Sequence, residues 1–426
     1  MKDKQLFVAD FFAGCGGLSF GLELAGFHPA YVNELNKDAI ESYLINREYE
    51  YPYLRDTAFH CNDIKDLVLN KKLLTNTIKE LKNQLNIDVK NGDLDLLVGG
   101  PPCQGFSGIG HRRSYSVDKE QLPSNHLYED MAYVVSVLKP KIFLFENVKG
   151  LLSAKWNPDG VKGEIWEDVL STFKNLKDYQ VNFSLVRAKD YGVSQNRPRV
   201  LLVGIRNDVY KKSESLIKGI VANGFLPSPT FDACDLEDLL GDLVDDNYEN
   251  GGFTNKYVKP AATTVQKYFR TTVDGKLLAK GSILTEQEYS KHAPNVLTKF
   301  KYMHEHDGKI HESMKTKKFA QRVLPAKWDE KGPTITATSL PDDYVHFSQP
   351  RTLTVREWAR LQGFPDYYRF AGSRTTGGIR RAGNPREGNF SRELPKYTQI
   401  GNAVPVFLAK AVGEHFAKII NKANES

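Results

Sequence analysis

Short apolar runs and longer amphipathic stretches alternate over the first 206 residues, and this alternation restricts the fold more than any other feature. The apolar runs predict six strands, at Leu6–Phe12, Pro29–Glu34, Leu94–Gly99, Lys141–Val148, Tyr179–Ala188 and Arg199–Arg206. The stretches between them predict helices at Lys37–Arg47, Asp63–Leu85, Leu127–Leu138 and Glu164–Leu176. Strands that alternate with helices form a sheet covered by helices on both faces. We therefore predict an α/β fold with a doubly wound, mostly parallel sheet.

The alternation is lost near residue 207, where the chain becomes mixed, aromatic and basic, with scattered glycine and proline. Regular patterns return at Val355–Gln362, where Thr354 and Glu357 have the spacing of a capping box. A final helical pattern, "VPVFLAKAVGEHFAKII", closes the chain. We expect three parts: a first domain at 1–206, a second, smaller, irregular domain at 207–345, and a C-terminal segment at 346–426 that packs back on the first domain.

Basic residues are concentrated in one segment of the chain. The net charge is +6, and residues 251–320 hold 13 lysines and arginines against 6 acids. Such a cluster is either a solvated surface or a footprint for nucleic acid, and charge alone leaves both open. The preceding segment, Asp232–Glu249, carries eight acids, and we expect it to form a helix and loop that face solvent.

The sequence indicates no membrane segment, disulfide framework or metal site. It contains no run of 18 apolar residues, and its N-terminus, "MKDKQLFVADFF", lacks the pattern of a signal peptide, so we expect a cytosolic protein. The four cysteines, at positions 15, 61, 103 and 234, have neither CxxC nor Cys/His ligand spacing. A functional cysteine in this chain would therefore act through its reactivity.

Glycines and acids follow the first predicted strands. Gly14, Gly16 and Gly17 form a turn before a helix, which permits close approach of a nucleotide-type cofactor or merely lets strand and helix pack. Glu34 follows the next strand and suits a ribose diol, and Asp63 is a third candidate. Each acid alone could equally be a helix cap or a surface residue. Together they mark the edge where such sheets bind ligands.

Three further polar segments are expected at the same edge. Cys103, in "GGPPCQGFS", follows a strand and lacks apolar neighbours, which favours a reactive thiol over a buried structural one. Glu146 ends the apolar run "FLFENV" and is either a partly desolvated acid of the crevice or a helix cap. In "SQNRPR", Arg197 and Arg199 have the spacing of one strand face and suit a phosphate or a pyrimidine carbonyl.

These segments together resemble the cytosine carbon-5 DNA methyltransferase family over nearly the whole chain. "DFFAGCGG" resembles its cofactor motif, "GGPPCQGFS" its catalytic motif, "ENV" its substrate-acid motif and "QNRPR" its arginine motif. "REWARLQGFP" and "QIGNAVP" resemble its C-terminal motifs, and "PTITAT" closes its variable region. Several motifs in this order are far more specific than one glycine-rich loop.

The resemblance implies S-adenosylmethionine as the cofactor. Phe12 would stack on its adenine, Glu34 would hold its ribose and Asp63 the adenine edge, while Asn402 and Val404 would pack beside it. The full implied cofactor set is Phe12, Gly14, Gly16, Gly17, Glu34, Asp63, Ile64, Pro102, Asn402 and Val404. Asn62 replaces the family's usual glycine before Asp63, and Pro198 separates the two arginines. No metal is implied.

The resemblance also implies the chemistry. Cys103 would be the nucleophile, Glu146 would bind the pyrimidine ring nitrogen and amino group, and Arg197 and Arg199 would support the cysteine and the cytosine carbonyl. The implied catalytic set is Cys103, Glu146, Gln195, Arg197 and Arg199, and residues 105–125 would close over double-stranded DNA around a flipped-out cytosine. Residues 1–206 would then be the catalytic and cofactor-binding domain and 207–345 the target-recognition domain.

The implied biological role is protection of host DNA from a partner restriction endonuclease, by a monomer in the bacterial cytosol that forms no stable complex with that enzyme. Three alternatives stay open at this point. The substrate could be transfer RNA, although the long variable region favours DNA. The chain could be a non-catalytic DNA-binding protein that keeps the fold, or a flavin or nicotinamide oxidoreductase, although G-x-G-x-x-G is absent.

Overall fold

A computed structural model describes residues 5–102, 126–157, 159–229, 233–315, 321–329, 332–338, 340–377 and 393–425. The chain divides into two compact units. Unit 1 comprises Met1–Ala188, Pro198–Thr230 and Phe407–Ser426, and unit 2 comprises Lys189–Arg197 and Phe231–Val406. Most of the predicted C-terminal segment thus groups with unit 2, and only its last helix groups with unit 1.

Unit 1 is built on a seven-stranded sheet. Its strands are β1 (Leu6–Phe11), β2 (Phe27–Asn33), β3 (His60–Cys61), β4 (Leu96–Gly99), β5 (Ile142–Val148), β6 (Tyr179–Arg187) and β7 (Pro198–Arg206). Their order is β3-β2-β1-β4-β5-β7-β6. Strands β1 to β5 pair in parallel, whereas β7 runs antiparallel to both β5 and β6. The predicted mostly parallel sheet is confirmed, with one antiparallel strand inserted near its edge.

Helices of unit 1 follow the predicted pattern with one break. They span Gly17–Leu24, Lys37–Ile45, Ile64–Leu69, Lys71–Leu85, Leu127–Leu138, Glu164–Lys174, Asn207–Lys212, Glu214–Ile217 and Val406–Glu425. The single helix predicted at Asp63–Leu85 is wrong, because Asn70 divides it. The Asn70 side chain accepts hydrogen bonds from the N–H groups of Lys72 and Leu73 at 3.1 and 3.2 Å, so it caps the second of the two helices.

The last helix packs within unit 1. Gly413 brings it close to the first helix, since a Cβ there would lie 2.8 Å from the Ala25 side chain and 2.9 Å from that of Leu22. The end of this helix is also bonded to the edge of the sheet where β4 and β5 begin. There Lys141 donates to Asp95 at 2.8 Å and to Asn424 of the helix at 3.0 Å. Within the described ranges, no helix combines the length and the apolar character needed to cross a membrane.

Unit 2 contains short elements joined by long irregular segments. Its helices are Leu236–Leu240, Thr264–Arg270, Pro294–Glu305, Val355–Leu361 and Lys396–Asn402, and its named strands, Arg322–Val323 and Tyr344–Val345, pair in parallel. The predicted capping box is confirmed: the Thr354 hydroxyl accepts from the N–H of Glu357 at 3.2 Å, and the Glu357 carboxylate accepts from the N–H of Thr354 at 2.9 Å.

A buried cluster of ion pairs holds the core of unit 2 together. Arg360 binds two carboxylates, Asp242 at 2.5 Å and Asp366 at 2.6 Å, and Arg270 approaches Asp242 at 3.4 Å. All four side chains are buried. The expectation that the acidic segment Asp232–Glu249 faces solvent is therefore wrong at Asp242, because two buried guanidiniums require a carboxylate there.

We expect Asp242→Asn to lower the free energy of unfolding by about 3–5 kcal/mol, because it leaves Arg360 and Arg270 buried with too little compensating charge. Urea unfolding followed by tryptophan fluorescence measures this loss. Asp246→Asn is the matched control, since Asp246 is exposed and only 3.4 Å from an exposed Lys259. The control should change stability by less than about 0.5 kcal/mol. Equal effects of the two substitutions would contradict a supporting role for the buried cluster.

Candidate active site

The carboxyl ends of four parallel strands meet at one edge of unit 1. In the register of the sheet, Phe11 at the end of β1 lies between Asn33 of β2 and Gly99 of β4, and Gly99 pairs with Phe145 of β5. The segments that follow these strands carry most of the predicted site residues. Ligands of open α/β sheets bind at this edge, outside the carboxyl ends of the strands.

The glycine-rich turn after β1 is held in an unusual backbone conformation. Gly14 and Gly16 have φ values of 58° and 88°, which glycine adopts at little cost. Phe12 also has a positive φ, 57°, which costs a bulky residue about 1–3 kcal/mol. Two hydrogen bonds to Asn33 stabilise this conformation. The Asn33 side chain accepts from the N–H of Phe12 at 3.4 Å, and the Asn33 backbone carbonyl accepts from the N–H of Ala13 at 3.0 Å.

Glu34 fixes the same turn from the end of β2. Its Oε2 accepts from the N–H of Gly14 at 2.9 Å and its Oε1 from the N–H of Asn36 at 2.7 Å. Burial raises the pKa of Glu34, and these backbone hydrogen bonds oppose that rise. Each carboxylate oxygen has a second lone pair, so Glu34 retains acceptors for a diol. Glu34 is not a helix cap, because Asn36 caps the following helix.

Asp63 occupies the position of a helix cap. Its Oδ1 accepts from the N–H of Lys65 at 2.9 Å at the start of the helix Ile64–Leu69. Ile64 is buried beneath it. A capping role leaves the second carboxylate oxygen available, so the cap and the predicted cofactor contact are compatible.

Sequence reasoning missed a polar network buried beneath the glycine turn. The Ser19 hydroxyl donates to Asp10 Oδ2 at 2.6 Å and lies 2.9 Å from the hydroxyl of Tyr43. Arg47 pairs with Glu23 at 2.6 Å and donates to the carbonyl of Gly16 at 3.3 Å. Burial raises the pKa of Asp10 to about 7. The signal in the sequence was an acid inside the apolar strand "LFVADF".

Asn33 is a second missed residue at this edge. Its buried side chain donates to the carbonyls of Cys61 and Asn62 at 3.1 and 2.9 Å, besides accepting from Phe12. It therefore ties the ends of β1, β2 and β3 to one another. An asparagine at the end of an apolar run gave the only sequence signal.

Glu146 is buried at the end of β5 and forms an ion pair with Arg199. Glu146 Oε1 lies 2.6 Å from Arg199 Nε, and both side chains are almost inaccessible to solvent. The antiparallel pairing of β7 with β5 makes this contact possible, because it places Arg199 opposite Val148. Val148 caps the short helical turn that follows, without a side-chain hydrogen bond. Glu146 is therefore not the cap of that turn.

The backbone that leads into the catalytic motif lies directly beside Glu146. A Cβ at Gly100 would be 2.9 Å from Glu146 Oε2, so only glycine lets the acid approach so closely. The Asn147 side chain donates to the carbonyl of Pro101 at 3.0 Å. Glu146 and the segment that ends two residues before Cys103 thus lie close together, and Pro102, the next residue of that segment, is exposed.

Arg197 and Gln195 bind segments of unit 2. Arg197 donates to the carbonyls of Ile335 and Gly401, and Gln195 donates to the carbonyl of Leu361 at 2.8 Å. Strand β7 begins at Pro198, so Arg197 precedes the strand that carries Arg199. The two arginines of "QNRPR" therefore differ in their partners: Arg199 pairs with a carboxylate and donates to the carbonyl of Pro198 at 2.8 Å, whereas Arg197 donates to main-chain carbonyls of unit 2.

Two predicted cofactor residues also lie in unit 2. Asn402 is exposed at the end of the helix Lys396–Asn402, and Val404 is buried just beyond it. Their expected place beside the cofactor stays a prediction. Across the described residues, no group of three histidine, cysteine or acidic side chains could hold a metal ion.

Cys103 and the predicted closing segment 105–125 lie outside the described residues. The other three cysteines are poor nucleophiles, because burial raises the pKa of each thiol. Cys15 is fully buried with a pKa of about 12, and the pKa values of Cys61 and Cys234 are raised as well. A nucleophilic thiolate in this chain is therefore not expected at these three positions.

Comparison with known proteins decides the class of enzyme. Residues 6–418 match the family of C-5 cytosine-specific DNA methylases. The chain belongs to this family. The C-5 cytosine methylases transfer a methyl group from S-adenosylmethionine to DNA, so the chain is a DNA (cytosine-5) methyltransferase. The oxidoreductase alternative is excluded by this membership.

Several members of the family that are similar to this chain are bacterial enzymes. The type II methyltransferase M.DdeI of Desulfomicrobium norvegicum is 29% identical, and the match covers 98% of this chain and 91% of the relative. M.XorII of Xanthomonas oryzae pv. oryzae is 30% identical, with 98% and 85% covered. M.AgeI of Thalassovita gelatinovora is 28% identical, with 95% and 97% covered.

Solved structures support the fold of the family. A DNA modification methyltransferase encoded within a prophage of E. coli matches with a TM-score of 0.64 at 22% identity, covering 98% of this chain and 99% of that one. The methyltransferase EhMeth of Entamoeba histolytica matches with a TM-score of 0.52 at 14% identity over the same shares. At these identities the likeness concerns the fold alone.

We expect Asp10→Asn to remove a pH-dependent part of the stability of this methylase. The pKa of Asp10 is about 7 in the folded chain and about 3.9 when unfolded, so the folded state binds more protons between pH 4 and 7. Stability from this proton is complete below pH 4 and is lost as the pH rises to 7, by up to about 1.4 kcal/mol per pH unit. Urea unfolding of both proteins across this range measures the difference.

The difference in stability between the wild type and Asp10→Asn should fall from pH 4 to 7 and level off beyond. Ser19→Ala removes a hydrogen bond that lowers the pKa of Asp10, so it should move the upper limit of this window to higher pH. Parallel stability curves for the wild type and Asp10→Asn would contradict a buried, protonated Asp10.

Proposed function

We propose that this C-5 cytosine methylase modifies one specific duplex sequence through a covalent Cys103 adduct, with Glu146 as the acid that binds the cytosine ring. The observation that carries the proposal is the position of Glu146. It is a buried carboxylate near the end of β5 and forms an ion pair with Arg199. It also lies close to Gly100, in the segment that leads to Cys103. The raised pKa values of the other three thiols also favour Cys103 as the nucleophile.

The edge of the sheet suits S-adenosylmethionine. Glu34 keeps acceptors for the ribose hydroxyls while its other lone pairs hold the glycine turn. Phe12 provides an aromatic ring at the turn, and the open space beside Gly14 leaves room for a ligand. Leu35, which sequence reasoning missed, is 69% exposed next to Glu34 and suits an apolar contact with adenine. S-adenosylmethionine supplies the methyl group as an electrophilic sulfonium.

The chemistry explains why a thiol and an acid are needed together. Carbon 5 of cytosine is weakly nucleophilic, and a thiolate of Cys103 that adds to carbon 6 places electron density on carbon 5. Glu146 stabilises this electron flow by sharing or donating a proton at ring nitrogen 3. After carbon 5 is methylated, loss of its proton re-forms the double bond and expels the Cys103 sulfur. The cytosine must leave the duplex stack, which costs a few kcal/mol.

The two arginines and Gln195 have distinct proposed roles. Arg199 orients Glu146 through their ion pair and lies close enough to the same acid to act on the base that Glu146 binds. Arg197 and Gln195 instead brace main-chain segments of unit 2. For these two residues we favour a supporting role over a contact with the cytosine carbonyl.

The biological role follows from the named relatives. Enzymes called type II methyltransferases belong to restriction-modification systems, so we expect this methylase to protect bacterial DNA beside a partner endonuclease. We expect a cytosolic monomer without a stable complex with that endonuclease. We propose residues 207–345, most of which lie in unit 2, as the target-recognition domain, and double-stranded DNA rather than transfer RNA as the substrate.

Bisulfite sequencing of DNA from a host that expresses the wild type should reveal 5-methylcytosine at one fixed sequence. Glu146→Gln should fold and bind S-adenosylmethionine but lose at least about 100-fold in methylation rate, because the variant cannot share a proton with the ring. Tritiated methyl transfer to DNA measures the rate. Glu167→Gln, an exposed glutamate on the helix Glu164–Lys174, is the matched control and should keep full activity.

Absence of methylation by a folded wild type, or methylation of transfer RNA instead of DNA, would contradict the proposed function. A near-normal rate for Glu146→Gln would contradict only the role of Glu146. Gly100→Ala provides a second variant, since its Cβ should displace the Glu146 carboxylate and lower the rate while cofactor binding persists.

A further inference from the structure

Two segments of unit 2 pair as an irregular antiparallel ribbon, which we call the 252–289 ribbon. Tyr289 donates to the carbonyl of Gly252 at 2.9 Å, and Leu284 donates to that of Asn255 at 2.9 Å. Isolated bridges pair Phe253 with Glu288 and Lys256 with Ile283. The two segments therefore present paired side chains on each face of the ribbon.

The inner face of the ribbon is anchored to the core of unit 2. Tyr257 donates its hydroxyl to Asp366 at 2.6 Å, and Gln287 donates to Glu357 at 3.2 Å. The hydroxyls of Thr254 and Tyr289 lie 2.6 Å apart. These side chains are buried, and Asp366 belongs to the ion-pair cluster of Arg360. The ribbon is thus a rigid platform, which is what precise recognition requires.

The outer face of the ribbon exposes large apolar side chains. Phe253 is 69% and Ile283 74% exposed, and Ile283 lies directly opposite Lys256. A neighbouring hairpin, closed by a bridge between Thr271 and Leu277, adds Val273, which is 75% exposed. Single exposed apolar residues are ordinary on a protein surface, whereas several of them grouped within a polar rim mark an interaction site.

The charge of the same region identifies the partner. Residues 252–289 carry six lysines and arginines, of which Arg270 is buried, and three acids. Two of the acids are paired with cations outside the ribbon: Glu286 lies 2.6 Å from Lys396, and Glu288 lies 3.3 Å from Arg374. Three of these lysines, Lys256, Lys276 and Lys280, are exposed beside the apolar side chains. A surface of apolar groups within a field of positive charge complements duplex DNA, whose phosphates surround apolar base edges and thymine methyl groups.

We propose that the outer face of the 252–289 ribbon reads the DNA sequence, with Phe253 and Ile283 against base edges and Lys256 and Lys280 on phosphates. A two-stranded ribbon fits the major groove of B-DNA, which is about 12 Å wide. This inference rests on the proposed target-recognition role of residues 207–345. It adds the residues that carry the readout, and it separates side chains that specify sequence from those that supply affinity.

The test compares apolar and basic variants on a library of duplexes with randomised sequence, read by bisulfite sequencing. Phe253→Ala and Ile283→Ala should each lower kcat/KM on the wild-type recognition sequence by about 10-fold or more and widen the bases accepted at particular positions. Lys256→Ala and Lys280→Ala should weaken binding to all duplexes alike. Each lysine variant should also reduce by about 1 the slope of log affinity against log salt concentration.

The controls are equally exposed residues of unit 1. Tyr49→Ala, at a side chain 97% exposed, and Lys72→Ala should leave both the sequence preference and the salt dependence unchanged. Melting temperature and S-adenosylmethionine binding should be the same in all variants, because every substituted side chain faces solvent. These two readouts confirm that any change concerns DNA.

An unchanged recognition sequence and unchanged kcat/KM in both apolar variants would overturn the inference, as would a lysine effect limited to one sequence. Failure of the wild type to methylate any duplex would instead contradict the proposed function. Because the ribbon variants are compared with an active wild type, the two failures are distinguishable.

Discussion

The ion pair between Arg199 and Glu146 is the contact on which the site depends. A carboxylate buried without a partner is strongly disfavoured, and removing one member of such a pair leaves an uncompensated charge. Glu146 can therefore be buried near the end of β5 only because Arg199 lies 2.6 Å away. The antiparallel insertion of β7 next to β5 places Arg199 there. A feature of sheet topology thus makes a buried acid possible at the edge of the proposed active site.

At the proposed cofactor edge, too, single side chains contact several parts of the backbone. Glu34 holds the glycine turn through two backbone N–H groups and still has acceptors for a ligand, and Asn33 joins three strand ends. Beneath the turn, Asp10 accepts a hydrogen bond from the Ser19 hydroxyl, and Arg47 donates one to the carbonyl of Gly16. The residues that position the backbone are neighbours of those proposed to bind ligand. Glu34 has both functions in this proposal, since it holds the turn and would bind the ribose.

Strong periodicity and local turn chemistry made much of the fold predictable from sequence. The helix at Leu127–Leu138 and the capping box of Thr354 and Glu357 depend only on nearby residues, and both are confirmed. Strand β3, His60–Cys61, is too short to leave a pattern, and no pattern in β7 reveals that it runs antiparallel. Asp242 and Asp10 are buried by partners distant in sequence, which a local reading cannot see. Arg197 shares a motif with Arg199, yet its partners depend on tertiary structure.

We propose that Cys103 bonds covalently to the target base. A duplex whose target cytosine carries fluorine at carbon 5 tests it, since addition and methylation can proceed but no proton can be lost to expel the sulfur. We expect an adduct that resists denaturing electrophoresis, requires S-adenosylmethionine and disappears in Cys103→Ala, while Cys15→Ala, Cys61→Ala and Cys234→Ala still form it. An adduct that persists in Cys103→Ala, or that maps by mass spectrometry to another cysteine, would contradict the nucleophilic role of Cys103.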